Sequence, residues 1–164
     1  MADYTLYAHP RSGNSYKTAL MLALTETAYD FELVDLMDGS NLAADFLKVN
    51  PLGKVPALRH RDLILRQSHD TLRYLVEQTG KFGPEGWDEE ARVGDWVGFA
   101  VDFFSYGVAR LRFERLFGGG EGPVFDYFKT VADRGLGTIE PHLAEQDWLV
   151  GGRPTIADIA CFPV

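Results

Sequence analysis

Asn50-Pro51-Leu52-Gly53-Lys54-Val55-Pro56-Ala57-Leu58 is a tight turn that passes through a Val-Pro pair into a short apolar run. Pro51 and Gly53 mark the turn. Pro56 has no amide proton and holds Val55 away from helical angles, so Val55 is expected to be extended, with its own amide and carbonyl available. A cis bond before Pro56 would turn those groups outward, one donor and one acceptor for an extended, peptide-like ligand laid alongside as an added strand. By pattern alone the same residues also fit an ordinary turn before an edge strand.

The segments on either side form a regular order. Tyr4 to Ala8 is a short β-prone run ended by the turn residues His9-Pro10-Arg11-Ser12-Gly13. Tyr16, Ala19, Leu20, Ala23 and Leu24 then recur at helical spacing, with Ser12, Asn14 or Ser15 available as the N-cap. Tyr29 to Val34 alternates as a strand does when one face is buried. Leu42 to Val49 is a short helical or irregular stretch. After the Val55-Pro56 loop come strands at Ala57 to Arg59 and Leu63 to Arg66, joined by Arg61-Asp62, and then a helix capped by Ser68 with Leu72, Leu75 and Val76 on its apolar face. The order βαβ then ββα predicts an α/β thioredoxin-like domain over residues 1–80.

Lys81-Phe82-Gly83-Pro84-Glu85-Gly86 breaks the composition, and residues 81–87 read as a linker. Everything after it is helical in pattern, which predicts an all-α domain over 88–164. From Asp88 to Phe117, Trp96, Phe99, Ala100, Phe103, Gly107 and Leu111 keep helical spacing, and Phe104 and Val108 widen the stripe. Gly118 to Pro123 is a flexible break. It lacks the Lys-Ser/Thr pair of a phosphate loop. The next helix runs to Ala144, weakened by Gly135 and Gly137, and Pro141 is expected to kink it or end it early. Thr155-Ile156-Ala157-Asp158 has the form of a capping box. Only nine residues follow the cap in the sequence, too few for an isolated helix, so the helical domain reads as incomplete.

Composition excludes several function classes. Apolar residues make up 46% of the 164, ample for a packed core, and a net charge of -8 supplies no cationic surface for nucleic acid or an anionic membrane. Cys161 is the sole cysteine, so neither an internal disulfide nor a thiol pair is possible. His9, His60, His69 and His142 show no ligand spacing, and no metal is expected. With neither a leader-like start nor an apolar run of membrane-spanning length, a cytoplasmic location is the expectation.

The Asn50 to Leu58 stretch, followed by Leu65-Arg66-Gln67-Ser68-His69, resembles the glutathione-site signature of cytosolic glutathione transferases. The resemblance extends to Tyr4-Thr5-Leu6-Tyr7-Ala8 running into Ser12, and to Gly152-Arg153-Pro154-Thr155-Ile156-Ala157-Asp158, and so covers the whole chain. It implies a protein that binds glutathione as co-substrate and conjugates its thiolate to a small apolar electrophile, working as a homodimer. Ser12 matches the activating serine of the theta-like and phi-like branches. Ser15, one helical turn on, and Tyr7, which corresponds to the tyrosine of other branches, are the substitutes. Gln67 and Ser68 resemble the pair that holds the γ-glutamyl end. Lys54 matches a position that meets the glycyl carboxylate, and Asn41 stands near a position where the family often has a histidine. Val55 and Pro56 would present backbone to the peptide. Phe103, Tyr106 and Arg110 are candidates for the electrophile wall, although aromatic stripes at helical spacing are equally bundle core or dimer contact. Two other readings stay open. One is a non-catalytic interaction module in which Ser12 and Ser68 only cap helices, and the other is glutathione-dependent reduction of peroxides or disulfides.

Overall fold

β1 (Tyr4–Ala8) is buried along almost its whole length, as a strand covered on both faces must be. The computed structural model describes residues 2–162. Around β1 a mixed four-stranded sheet assembles in the order β2-β1-β3-β4. β2 (Tyr29–Leu33) runs parallel to β1, so a crossover is required, and α1 (Gly13–Leu24) supplies it. β3 (Ala57–His60) and β4 (Leu63–Leu65) form an antiparallel hairpin, with β3 also antiparallel to β1. A 3-10 turn at Ser40–Leu42 and the short α2 (Ala44–Val49) connect β2 to β3, and α3 (Ser68–Thr79) follows β4. α1 packs on α3, burying Met21, Leu22, Leu72 and Leu75 completely. This is the thioredoxin-like arrangement expected from the order of elements.

The chain divides after Lys81 into two compact units, each described here by itself. The second, over 82–162 of the described residues, is all helical. α4 (Trp87–Phe99) runs into a π-helical stretch at Ala100–Val108 and on into α5 (Ala109–Phe117). α6 (Pro123–Glu145) and α7 (Ile156–Cys161) complete it. The close approach of α6 to the π-helical stretch depends on glycine. A Cβ on Gly135 would lie 2.7 Å from Phe103 Cβ, and one on Gly107 would lie 2.9 Å from Val131 Cγ1. Gly135, which weakens α6 by propensity, is thus what lets α6 seat against its neighbour.

Several local expectations change. β2 has no buried face: Phe31 and Leu33 are exposed, and β2 is an edge strand paired only with β1. The aromatic helix is not uniformly α, since its middle nine residues take the wider i to i+5 turn. α6 continues through Pro141 to Glu145. Proline there forfeits only one bond, to the carbonyl of Gly137, and Gly137 is exposed so that water can take its place. Gln67 rather than Ser68 is the N-cap of α3. Its backbone is extended and its carbonyl accepts the Thr71 amide, which makes Ser68 the first helical residue.

The capping box at Thr155 forms in full, with Thr155 Oγ1 accepting from Ala157 N and the Asp158 carboxylate accepting from Thr155 N at 2.8 Å. α7 is short but not isolated. Ile156, Ala157, Ile159, Ala160 and Cys161 are all buried, with α7 packed on α4 and on the π-helical stretch. Its apolar face therefore has a partner within residues 82–162. Residues 1, 163 and 164, which the expected domains include, lie outside the described residues.

Candidate functional site

The strand register brings the candidate residues of the thioredoxin-like unit to one end of its sheet. β1 ends at Ala8 opposite Leu33 of β2, and Tyr7 pairs with Ala57 at the start of β3. Leu58 pairs with Leu65 at the end of β4. The turn at 9–12, the loop at 50–56, the segment after β2 and the start of α3 therefore leave the sheet from the same edge. That edge is the carboxyl end of its parallel pair, where open α/β sheets place ligands.

Ser12 is the N-cap of α1. Its Oγ accepts the Ser15 amide at 3.2 Å, and its carbonyl accepts Tyr16 N at 2.9 Å. Capping uses a lone pair of the hydroxyl and leaves its proton available to donate, so a cap and a thiolate donor are compatible roles. Ser15 is different: it is buried, and its Oγ accepts the His9 amide at 3.4 Å. Tyr7 is flanked by packing, its ring 6.2 Å from that of Phe46 and 5.4 Å beneath the Arg59 guanidinium.

The loop is shaped by an asparagine that the sequence pattern did not single out. Asn50 is fully buried, with Nδ2 donating to the Lys54 carbonyl at 2.6 Å and Oδ1 accepting the Leu52 amide at 3.1 Å. Gly53 N closes the turn onto the Asn50 carbonyl at 2.9 Å. Gly53 has a φ of 60°, and a Cβ there would meet Leu42 Cδ2 at 2.8 Å and the Asn41 carbonyl at 3.0 Å. An Asn ahead of Pro-x-Gly is the available sequence signal, since a short amide folding back on the backbone two residues on is a turn device. Beyond the turn the Val55-Pro56 bond is cis. Among the described residues, no protein group takes the Val55 amide or carbonyl.

The remaining candidates divide. Asn41 donates from Nδ2 to the Gly53 carbonyl at 2.9 Å, so one of its amide hydrogens ties the loop down. Lys54 is exposed, with no ion-pair partner among the described residues. The Gln67 and Ser68 side chains likewise have no protein partner among the described residues, and they stand at the amide-rich start of α3.

In the helical unit, Phe103 packs on Gly135 with the Arg134 guanidinium 5.8 Å from its ring, and Tyr106 stacks edge-on against Phe128 and Tyr127 of α6. A hydrogen bond with Tyr106 holds the Tyr127 hydroxyl above the ordinary tyrosine range. Arg110 is exposed and carries no partner among the described residues. Leu136, Ile139, Glu140, Leu143 and Ala144 line an open groove of about 530 Å³ along α6. Among the described residues no trio of His, Cys, Asp or Glu could hold a metal ion, and no helix is long and apolar enough to cross a membrane.

Comparison with known proteins agrees with this fold. Residues 2–77 match the N-terminal domain and residues 112–164 the C-terminal domain of the glutathione S-transferase family models. Glutathione S-transferase 3 of Zea mays is 31% identical over 96% of this chain and 75% of its own length. The disulfide-bond oxidoreductase YghU of Escherichia coli is 31% identical over 88% of this chain but 52% of its own. Elongation factor 1-gamma 3 of rice is 30% identical over 94% of this chain and only 38% of its own. A glutathione transferase family member from Pseudomonas fluorescens, crystallised with two glutathione bound, superposes with a TM-score of 0.89 at 27% identity, over 98% of this chain and 74% of that one. With the fold, the order of motifs and a relative matched over most of its length all in agreement, this chain belongs to the glutathione S-transferase family.

Proposed function

We propose that the protein is a glutathione transferase that binds glutathione at the edge of its thioredoxin-like sheet and activates the thiol through Ser12. The observation that carries the reading is the Ser12 N-cap. Its Oγ is fixed by the Ser15 amide and its hydroxyl proton is left to donate, at the same sheet edge as the unpartnered Val55 backbone and the start of α3.

A free thiol with a pKa near 8.5 is only a few per cent thiolate at neutral pH, and the thiolate is the nucleophile. A hydrogen bond to a charged sulfur contributes about 1.5 to 3 kcal/mol. A helix N-terminus adds about 0.3 to 1 kcal/mol. At about 1.4 kcal/mol per pKa unit, the two together lower the thiol pKa by roughly one to three units. Ser15, buried beneath the turn, is left the role of supporting it. In this reading Val55 takes the peptide backbone of glutathione as a strand would, and Gln67 and Ser68 take the γ-glutamyl end. Lys54 meets the glycyl carboxylate, and Asn41 shapes the loop with one amide hydrogen and can offer the other. The thiolate then attacks an apolar electrophile, forming a carbon–sulfur bond as the electrophile's leaving group departs or, at an activated double bond, as the carbon next to the one attacked takes a proton. The exposed Leu116, Val124 and Tyr127 support a homodimer, which light scattering would test.

A reductive role that relays electrons through protein thiols is disfavoured by one observation, whereas reduction by the glutathione thiol itself is left to the experiment below. Cys161 is buried in α7, and no other cysteine exists to relay a disulfide through the protein. The deciding experiment incubates the protein with glutathione and an aryl halide, and separately with a peroxide. A thioether product whose rate falls about ten- to hundredfold in Ser12→Ala supports the transferase. Oxidised glutathione as the only product would replace it with the reductase, and neither product would favour an interaction module.

A further inference from the structure

His9 lies at the centre of the turn that carries Ser12, and its contacts exceed what a turn residue needs. Its carbonyl accepts the Ser12 amide at 3.0 Å, and its amide donates to Ser15 Oγ at 3.4 Å. Its ring Nδ1 accepts the Arg11 amide at 3.1 Å. An accepting Nδ1 carries no proton, so the neutral ring holds its proton on Nε2. That Nε2 faces Asp35 Oδ1 at 3.7 Å, and the His9 side chain is only 12% exposed. Backbone and ring together therefore fix residues 9, 11, 12 and 15 of one turn.

Asp35 is held from the other side. Its Oδ1 accepts the Met37 amide at 2.8 Å, while its carbonyl accepts Ser40 Oγ at 2.9 Å and the Asn41 amide at 3.3 Å. Asn41 in turn donates to the Gly53 carbonyl in the loop that presents Val55. The contacts run unbroken from Ser12 through His9, Asp35 and Asn41 to Gly53.

We propose that His9 and Asp35 are a positioning pair: His9 sets the direction of the Ser12 hydroxyl, and Asp35 anchors His9 to the segment that braces the Val55 loop. The role rests on the assignment of Ser12 as thiolate donor. A donor that swings off the sulfur by an ångström loses most of its effect, so a group that fixes its direction governs thiol ionisation more than ligand affinity. His9→Asn is the informative replacement, because its Oδ1 can stand where Nδ1 accepts from Arg11 N, whereas His9→Ala removes the acceptor.

The test uses the full chain with glutathione as the probe. The thiolate absorbance of bound glutathione is titrated against pH, with affinity by calorimetry and thermal unfolding measured in parallel. His9→Ala should lower the bound thiolate fraction at pH 7 roughly tenfold while changing affinity less than about threefold. His9→Asn should restore most of that fraction, and Asp35→Asn should lower it by a smaller factor. Wild-type thiolate in a folded His9→Ala protein would overturn the proposal. So would a loss that parallels the melting temperature and is not rescued by Asn, which would mark a purely structural residue. Should His9→Ala fail to fold, Asp35→Asn decides, and an unchanged thiolate fraction there overturns the pairing. Ser12→Ala separates the two claims. If it leaves the thiol unmoved, the Ser12 assignment falls and the positioning role with it; if it shifts the thiol while His9→Ala does not, only the positioning role falls.

Discussion

The sheet edge of the first unit and the aromatic stripe of the second are both rich in side chains that could meet a ligand, yet their groups are used differently. At the sheet edge the Val55 backbone and the side chains of Gln67 and Ser68 have no protein partner among the described residues. Buried scaffolding, Asn50 above all, holds that edge in shape. On the stripe, Phe103 is pressed on Gly135 and Tyr106 on Phe128, so their faces are taken up by α6. A binding surface is left incomplete by its own fold, whereas a packing surface is completed by it. That difference marks the sheet edge as the stronger candidate site.

The contrast breaks most easily at Asn50. In Asn50→Ala the Lys54 carbonyl and the Leu52 amide lose their partners, at about 1 to 2 kcal/mol each. Stability should fall by about 3 kcal/mol by urea denaturation, and glutathione affinity should fall with it. Unchanged affinity would detach the loop from the site. Gly135→Ala should cost about 1 to 2 kcal/mol, since the clash with Phe103 exceeds what helix propensity returns. Glutathione affinity should be unaffected there, and a loss would show that the stripe does more than pack. Tyr106→Ala, half exposed and stacked on Phe128, should cost about 1 kcal/mol and likewise spare glutathione binding.

The smallest effect is electrostatic. The Ser40 amide donates to Asp38 Oδ1 at 2.8 Å and holds that carboxyl below its ordinary value. A carboxyl lowered on folding contributes stability above its unfolded pKa, near 3.9, and loses it as pH falls through the folded value. Asp38→Asn should therefore slightly lower stability at neutral pH and flatten the acid limb below about pH 4, the two proteins converging in stronger acid.

The sequence was readable where chemistry and local backbone coincide. Pro56 restricts Val55, and its cis bond lies where the Val-Pro pair suggested. The Thr155–Asp158 capping box is equally local and forms as written. It was less readable where packing decides. The alternation of Tyr29 to Val34 implies a buried face, but only the strand order shows that β2 is an edge. The close approach of α6 to Phe103 and Gly107 in the π-helical stretch is a contact between segments, which no single-segment periodicity contains. Asn50, His9 and Asp35 were missed because their partners are backbone groups fixed only once the turns have formed.

The most direct measurement is the ultraviolet titration of glutathione bound to the protein, native and Ser12→Ala. A bound thiol pKa one to three units below about 8.5, returning toward that value in Ser12→Ala, is the predicted result. A bound thiol that ionises like free glutathione in both proteins would contradict the account, leaving a glutathione-binding fold with no activating group at Ser12.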